Sequence, residues 1–172
     1  MEDPLRQRLE RHATSWTGQS ELIRAAGGIG FDPNIGRRLS QLEEAMVEPG
    51  PAVIIARSSG ARVATLLAAR RHLRAVICVG YPFHHPKKPE EPERYAHLAH
   101  VLTPTLILQG ISDVYGGREI LEKYAFSPAV TVEFIEADHE FRIPTAQWDA
   151  VAERILDFCA AAPAAHRDPT PG

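Results

Sequence analysis

Residues 53–64, Val53-Ile54-Ile55-Ala56-Arg57-Ser58-Ser59-Gly60-Ala61-Arg62-Val63-Ala64, run an apolar strand into a serine and then directly into a helical pattern. That layout is a nucleophile elbow, a tight strand-to-helix turn that lifts a serine hydroxyl above a sheet. The turn presses backbone against backbone, so small residues are needed two before and two after the serine. Ala56 and Gly60 fill those places. A serine hydroxyl attacks a carbonyl only as a base takes its proton, which an imidazole does near neutral pH. A carboxylate then fixes the imidazole tautomer and stabilises the imidazolium. Two later segments carry those groups. Residues 106–113 read as a buried strand ending in a turn with Asp113, and residues 130–139 as a strand ending in a loop with His139. Ser58, Asp113 and His139 at three successive strand ends are much harder to obtain by accident than one serine motif.

Other residues compete for roles. Asp138 adjoins His139, but adjacent side chains point in different directions, and Asp138 is expected to bond within its own loop. His84 and His85 lack a third ligand at helix or strand spacing, so no metal site is expected. Arg57 and Arg62 could hold an anionic group of a substrate or pair with carboxylates at the surface; pairing is the expectation.

From about residue 51 to residue 160 the chain resembles the C-terminal two-thirds of an α/β-hydrolase. The likeness rests on Arg57-Ser58-Ser59-Gly60-Ala61-Arg62-Val63-Ala64, then Gly80-Tyr81-Pro82-Phe83, then Leu108-Gln109-Gly110-Ile111-Ser112-Asp113. These match the small serine hydrolases with R-S-x-G-x-R-V-A, G-Y-P-F and L-x-Q-G-x-x-D in that order. The resemblance implies Ser58 as nucleophile, His139 as general base and Asp113 as the residue that orients it. It also implies cleavage of an ester or thioester of a small acyl substrate through an acyl-serine, without cofactor or metal.

An oxyanion hole is implied as well, with the backbone N–H of Ser59 as one donor. The second donor usually comes from a glycine-rich loop after an earlier strand. Residues 21–26 are expected to be a strand stopped by Gly27-Gly28, and two placements follow. Either this strand occupies the oxyanion position, with the amides of Gly27 and Gly28 as donors, or the usual oxyanion strand is missing. The first is preferred, because glycines let amides approach a ligand closely.

The elements that must position these groups alternate strand and helix, which argues for an α/β three-layer sandwich: a mostly parallel twisted sheet with helices on both faces. Asp3-Pro4 opens a helix to about His12, and Asp32-Pro33 another with Leu39, Leu42 and Met46 on one face, ended by Pro49-Gly50-Pro51. Strands are expected over 51–56 and 74–80, a helix over 60–72, and a short helix near 93–102. Further helices follow over 118–125 and from about Thr145. The proline-rich stretch 82–94 is expected to be a surface loop over the site. Residues 1–160 read as one domain and 161–172 as a disordered tail.

At 172 residues with a formal charge of −3 and scattered basic residues, nucleic acid is an unexpected partner. No apolar run reaches the ~20 residues of a membrane span, and the N-terminus lacks a signal-peptide core. Cys78 and Cys159 read as small buried hydrophobes of a reduced, cytoplasmic protein. Oligomeric state is left open. The competing function is a non-catalytic interaction protein on the same scaffold, favoured by the reduced N-terminal half and by Ala56.

Overall fold

The computed structural model describes residues 4–46 and 52–163. Four strands, β1 (Val53–Arg57), β2 (Ala75–Val79), β3 (Thr105–Gly110) and β4 (Val130–Ile135), form one sheet in the order β1-β2-β3-β4, every pair parallel. Parallel strands need crossovers that cover both faces, and the central strands are accordingly apolar without interruption and buried along their whole length. Alternate residues feed two separate cores. On one face Val76, Cys78 and Ile107 pack with Leu39, Ala61, Ala64 and Leu67 from helices α3 (Ile35–Ala45) and α4 (Ser59–Ala68). On the other, Ile77, Val79, Leu106 and Leu108 pack with Leu5 and Leu9 of α1 (Pro4–Leu9) and with Trp148, Val151 and Ile155 of α6 (Thr145–Ala161). This is the three-layer α/β arrangement that the alternating pattern predicts.

Several elements differ from expectation. Residues 21–26 are not a strand: they lie in a helix, α2 (Gln19–Ala25). Gln, Glu, Leu, Arg and Ala are all good helix formers, and only Ile23 is β-branched. Glu21 accepts the Gly18 N–H at 2.5 Å and so caps the first turn. Gly27 then adopts φ 73°, its N–H donating to the Arg24 carbonyl, while Gly28 N–H donates to the Ile23 carbonyl. That is a Schellman cap, in which glycine is favoured because the left-handed conformation carries no Cβ penalty. Among the described residues no strand precedes β1.

Helix α3 is capped by Asn34, whose side chain accepts from Arg37 N–H, rather than by Asp32. Asp32 instead closes a turn on Asn34 N–H. Residues 92–99 wind into two short 3₁₀ turns, and the expected helix over 118–125 shrinks to α5 (Ile120–Lys123). The expected N-cap at Asp3, the helix stop at residues 49–51 and the tail from residue 164 onward lie outside the described residues. Cys78 is buried and Cys159 half-buried, and both are free thiols.

Candidate active site

Ser58 occupies the sharp turn between β1 and α4, with φ 47° and ψ −124°. A serine in this region stores roughly 1–3 kcal/mol of strain, which the neighbouring structure must hold. Ser58 N–H donates to the Val79 carbonyl on β2, and the Ser58 carbonyl accepts Ala61 N–H. A Cβ at Gly60 would stand 3.7 Å from the Ala56 Cβ, an ordinary contact, and φ at Ala56 is not positive. Alanine in place of glycine at that position is therefore accommodated.

Ser58 Oγ lies 2.8 Å from His139 Nε2, and His139 Nδ1 lies 2.8 Å from Asp113 Oδ2. An ionised carboxylate only accepts, so Nδ1 carries the ring proton and Nε2 presents its lone pair to the serine hydroxyl. The three side chains leave the C-terminal ends of β1, β3 and β4, the rim where ligands bind in parallel α/β sheets. The Asp113 side chain is fully buried, and every oxygen is satisfied. Oδ2 also accepts from Gln109 Nε2 at 2.9 Å, and Oδ1 from Tyr115 N–H at 2.8 Å. Charge-assisted bonds of this kind offset the desolvation of a buried anion.

Gln109 received no role from its place in the motif, yet it ties the site together. It is fully buried, takes Tyr81 N–H on its amide oxygen, and reaches the Tyr81 and Gly116 carbonyls with its amide nitrogen. The one amide side chain in β3 was the available signal. Tyr115 also packs its ring on His139, with centroids 4.4 Å apart. Gly110 is required by close approach: a Cβ there would come within 2.5 Å of the Ala137 carbonyl oxygen in the loop that carries His139.

Asp138 does not reach the His139 ring in this arrangement. It forms an ion pair with Arg142, which holds its carboxyl below the usual carboxylate range. His84 Nδ1 lies 3.5 Å from the Tyr124 hydroxyl, and His85 Nδ1 accepts Lys87 N–H within its own loop. Arg57 and Arg62 differ from expectation, since neither pairs with a carboxylate among the described residues. Arg57 donates to the Glu140 carbonyl at 2.7 Å, and Arg62 keeps a buried Nε without a partner. The loop from β2 to β3 docks on α4 through Thr65, whose hydroxyl lies 2.9 Å from His97 Nε2. Burial and the nearby Arg62 charge push His97 down to about 4, so it is neutral there.

Gly27 and Gly28, expected as oxyanion donors, have their N–H groups committed to the carbonyls of Arg24 and Ile23. They cap α2 and have no free amide to offer a ligand. Ser59 does occupy the expected place, as the first residue of α4. A hollow of about 240 Å³ lined by Pro104, Pro128, Ala129, Phe158, Ala161 and Ala162 opens at the N-terminal ends of β3 and β4. It lies at the opposite end of the strands from Ser58 and touches none of the three aligned side chains.

The parallel sheet, its two helical layers and a strand-end serine, histidine and aspartate define a protein of the α/β-hydrolase class. A family model described as alpha/beta hydrolase domain matches residues 33–166. The chain belongs to that family. Among solved structures it is similar to an alpha-beta serine hydrolase homologue from Coxiella burnetii, with a TM-score of 0.64 and 18% identity, covering 89% of this chain and 74% of that one. It is also similar to the esterase domain of a Rhodothermus marinus protein, with a TM-score of 0.54 and 18% identity over 90% and 78% of the two chains. A curated protein named imidazolonepropionase, from Methylobacterium sp. (strain 4-46), is 28% identical over 166 residues. That match takes in 91% of this chain and 40% of the relative's length. No helix among the described residues is long and apolar enough to cross a membrane.

Proposed function

We propose that this protein is a serine hydrolase that cleaves an ester or thioester of a small acyl substrate through an acyl-serine on Ser58. The observation that carries the reading is the unbroken relay from Ser58 Oγ to His139 Nε2 and from Nδ1 to Asp113 Oδ2, both steps 2.8 Å. In the first half-reaction Ser58 Oγ bonds to the carbonyl carbon while its proton passes to His139 Nε2. The carbonyl π pair moves onto oxygen. When the carbonyl re-forms, the bond to the leaving oxygen or sulfur breaks, and His139 returns the proton to that atom. Water then repeats the sequence on the acyl-serine. Asp113 keeps its negative charge throughout and stabilises the imidazolium. Ser59 N–H faces the developing oxyanion. Membership of the alpha/beta hydrolase family, with a serine hydrolase homologue and an esterase domain among similar folds, supports a hydrolase.

A second reading, a non-catalytic interaction protein on this scaffold, is favoured by the absence of any strand before β1 among the described residues. Hydrolysis of 4-nitrophenyl acetate and of an acetyl thioester separates the two. The first reading expects turnover that Ser58→Ala removes with the fold intact. Turnover that survives Ser58→Ala would remove Ser58 from the mechanism, and none in the native protein would leave the scaffold reading.

A further inference from the structure

We infer that Arg38 supplies the second oxyanion-stabilising group, a guanidinium on α3 in the role for which Gly27 and Gly28 have no free amide. The inference rests on the reading of Ser58 as nucleophile and extends it to an electrophilic partner. Tetrahedral intermediates of acyl transfer need preorganised donors where the negative charge develops, and Ser59 N–H alone is half of the usual set. Gly27 and Gly28 are withdrawn from that task by their own helix cap.

Arg38, on α3, reaches the first turn of α4. Its Nη1 donates to Ser59 Oγ at 2.8 Å, which places the guanidinium beside the residue whose amide is the first donor. A Cβ on Gly60 would lie 3.6 Å from Arg38 Nη2, so the guanidinium extends over the next residue as well. Its planar group sits 4.8 Å from the centre of the Phe31 ring. A cation held over an aromatic face and by a hydroxyl loses little further freedom when charge appears nearby.

Its charge is also only partly met. Arg37, the next residue on the helix, takes both oxygens of Asp32. Arg38 makes no hydrogen bond or ion pair with a carboxylate among the described residues, although Asp32 lies near enough to favour its charged form. Burial pushes its pKa down, yet a guanidinium stays charged near neutral pH. A partly desolvated, unpaired cation is costly unless negative charge arrives beside it, and the reaction at Ser58 creates that charge. The helix N-terminus adds to the same field. During the addition step the oxyanion accepts from Ser59 N–H and from Arg38; both bonds weaken again when the carbonyl re-forms.

The test compares the native protein with Arg38→Ala, Arg38→Lys and Ser59→Ala, using neutral 4-nitrophenyl acetate and fluorophosphonate labelling of Ser58. For Arg38→Ala, kcat/KM and the labelling rate should fall by roughly 10²–10³, chiefly in kcat. Arg38→Lys should keep the fold and recover part of the rate. Millimolar guanidinium ion should partly rescue Arg38→Ala and leave Ser58→Ala inert, a result that a merely structural role would not give. Ser59→Ala keeps its N–H and loses only the anchor, so it should fall by about tenfold or less. Labelling of Arg38→Ala as fast as the native protein would overturn the inference while leaving Ser58 as nucleophile. A loss confined to KM, with kcat and the labelling rate unchanged, would overturn it in favour of Arg38 binding substrate. No labelling of the native protein would remove the nucleophile reading and this inference with it.

Discussion

The two parts of the chain on either side of β1 are built to different standards. From β1 onward, four parallel strands, buried without a break at β2 and β3, hold Ser58, Asp113 and His139 within two hydrogen bonds of one another. Before β1 the described residues form only short helices, and Leu5, Leu9 and Leu39 are the buried hydrophobics they contribute. Ile29 and Phe31 there stand open to solvent. The division coincides with the chemistry. The groups proposed to make and orient a nucleophile leave the strand ends of the sheet, while the charge-receiving group proposed beside Ser59 N–H comes from the thin N-terminal layer, as Arg38. A rigid sheet can fix a relay to tenths of an ångström; a single helix over its edge offers one side chain.

That contrast can be broken or sharpened by substitution. The largest effect should come from His139→Ala, which removes the base and should lower kcat for ester hydrolysis by roughly 10⁴–10⁶. Asp113→Asn should cost up to ~10⁴, because the amide leaves the imidazole in the wrong tautomer. Asp138→Asn, whose carboxylate faces Arg142, should change kcat by no more than about threefold. Reversal of those two effects would move the acid to the neighbouring position. Gly110→Ala forces a Cβ against the Ala137 and Asp138 carbonyls, so it should displace the His139 loop. The expected loss is about 10² in kcat and roughly 1–3 kcal/mol in denaturant-measured stability.

On the other side of β1 the same kind of change should touch stability alone. Gly27→Ala places a side chain at φ 73° and should cost about 1–2 kcal/mol, with kcat unchanged within twofold. A large kcat loss there would restore these glycines to the oxyanion site. Ile29→Ser, at a fully exposed position, should shift stability by no more than about 0.5 kcal/mol.

The strands from β1 onward are legible because each is a run rich in Val, Ile or Leu closed by a turn, and the ends of β1, β3 and β4 carry Ser58, Asp113 and His139. The N-terminal layer is harder to read. Leu22-Ile23 followed by two glycines looks like a strand and its stop, whereas the same glycines are the Schellman cap of a helix. The discriminating sign was Glu21, three residues beyond the glycine it caps. Gln109 and Arg38 were legible only as residue types. Gln109 acts on Tyr81, 28 residues away, and Arg38 on Ser59, 21 residues away, and no local period encodes either contact.

If Ser58 is the nucleophile, the relay it shares with His139 and Asp113 activates it. The most direct measurement of this is intact-mass and peptide-mapped labelling with a fluorophosphonate. The expected result is one phosphonyl group per chain, localised to Ser58, with none on Ser58→Ala and strongly slowed labelling on Asp113→Asn. An unlabelled native protein, or a label on another residue that persists in Ser58→Ala, would contradict it.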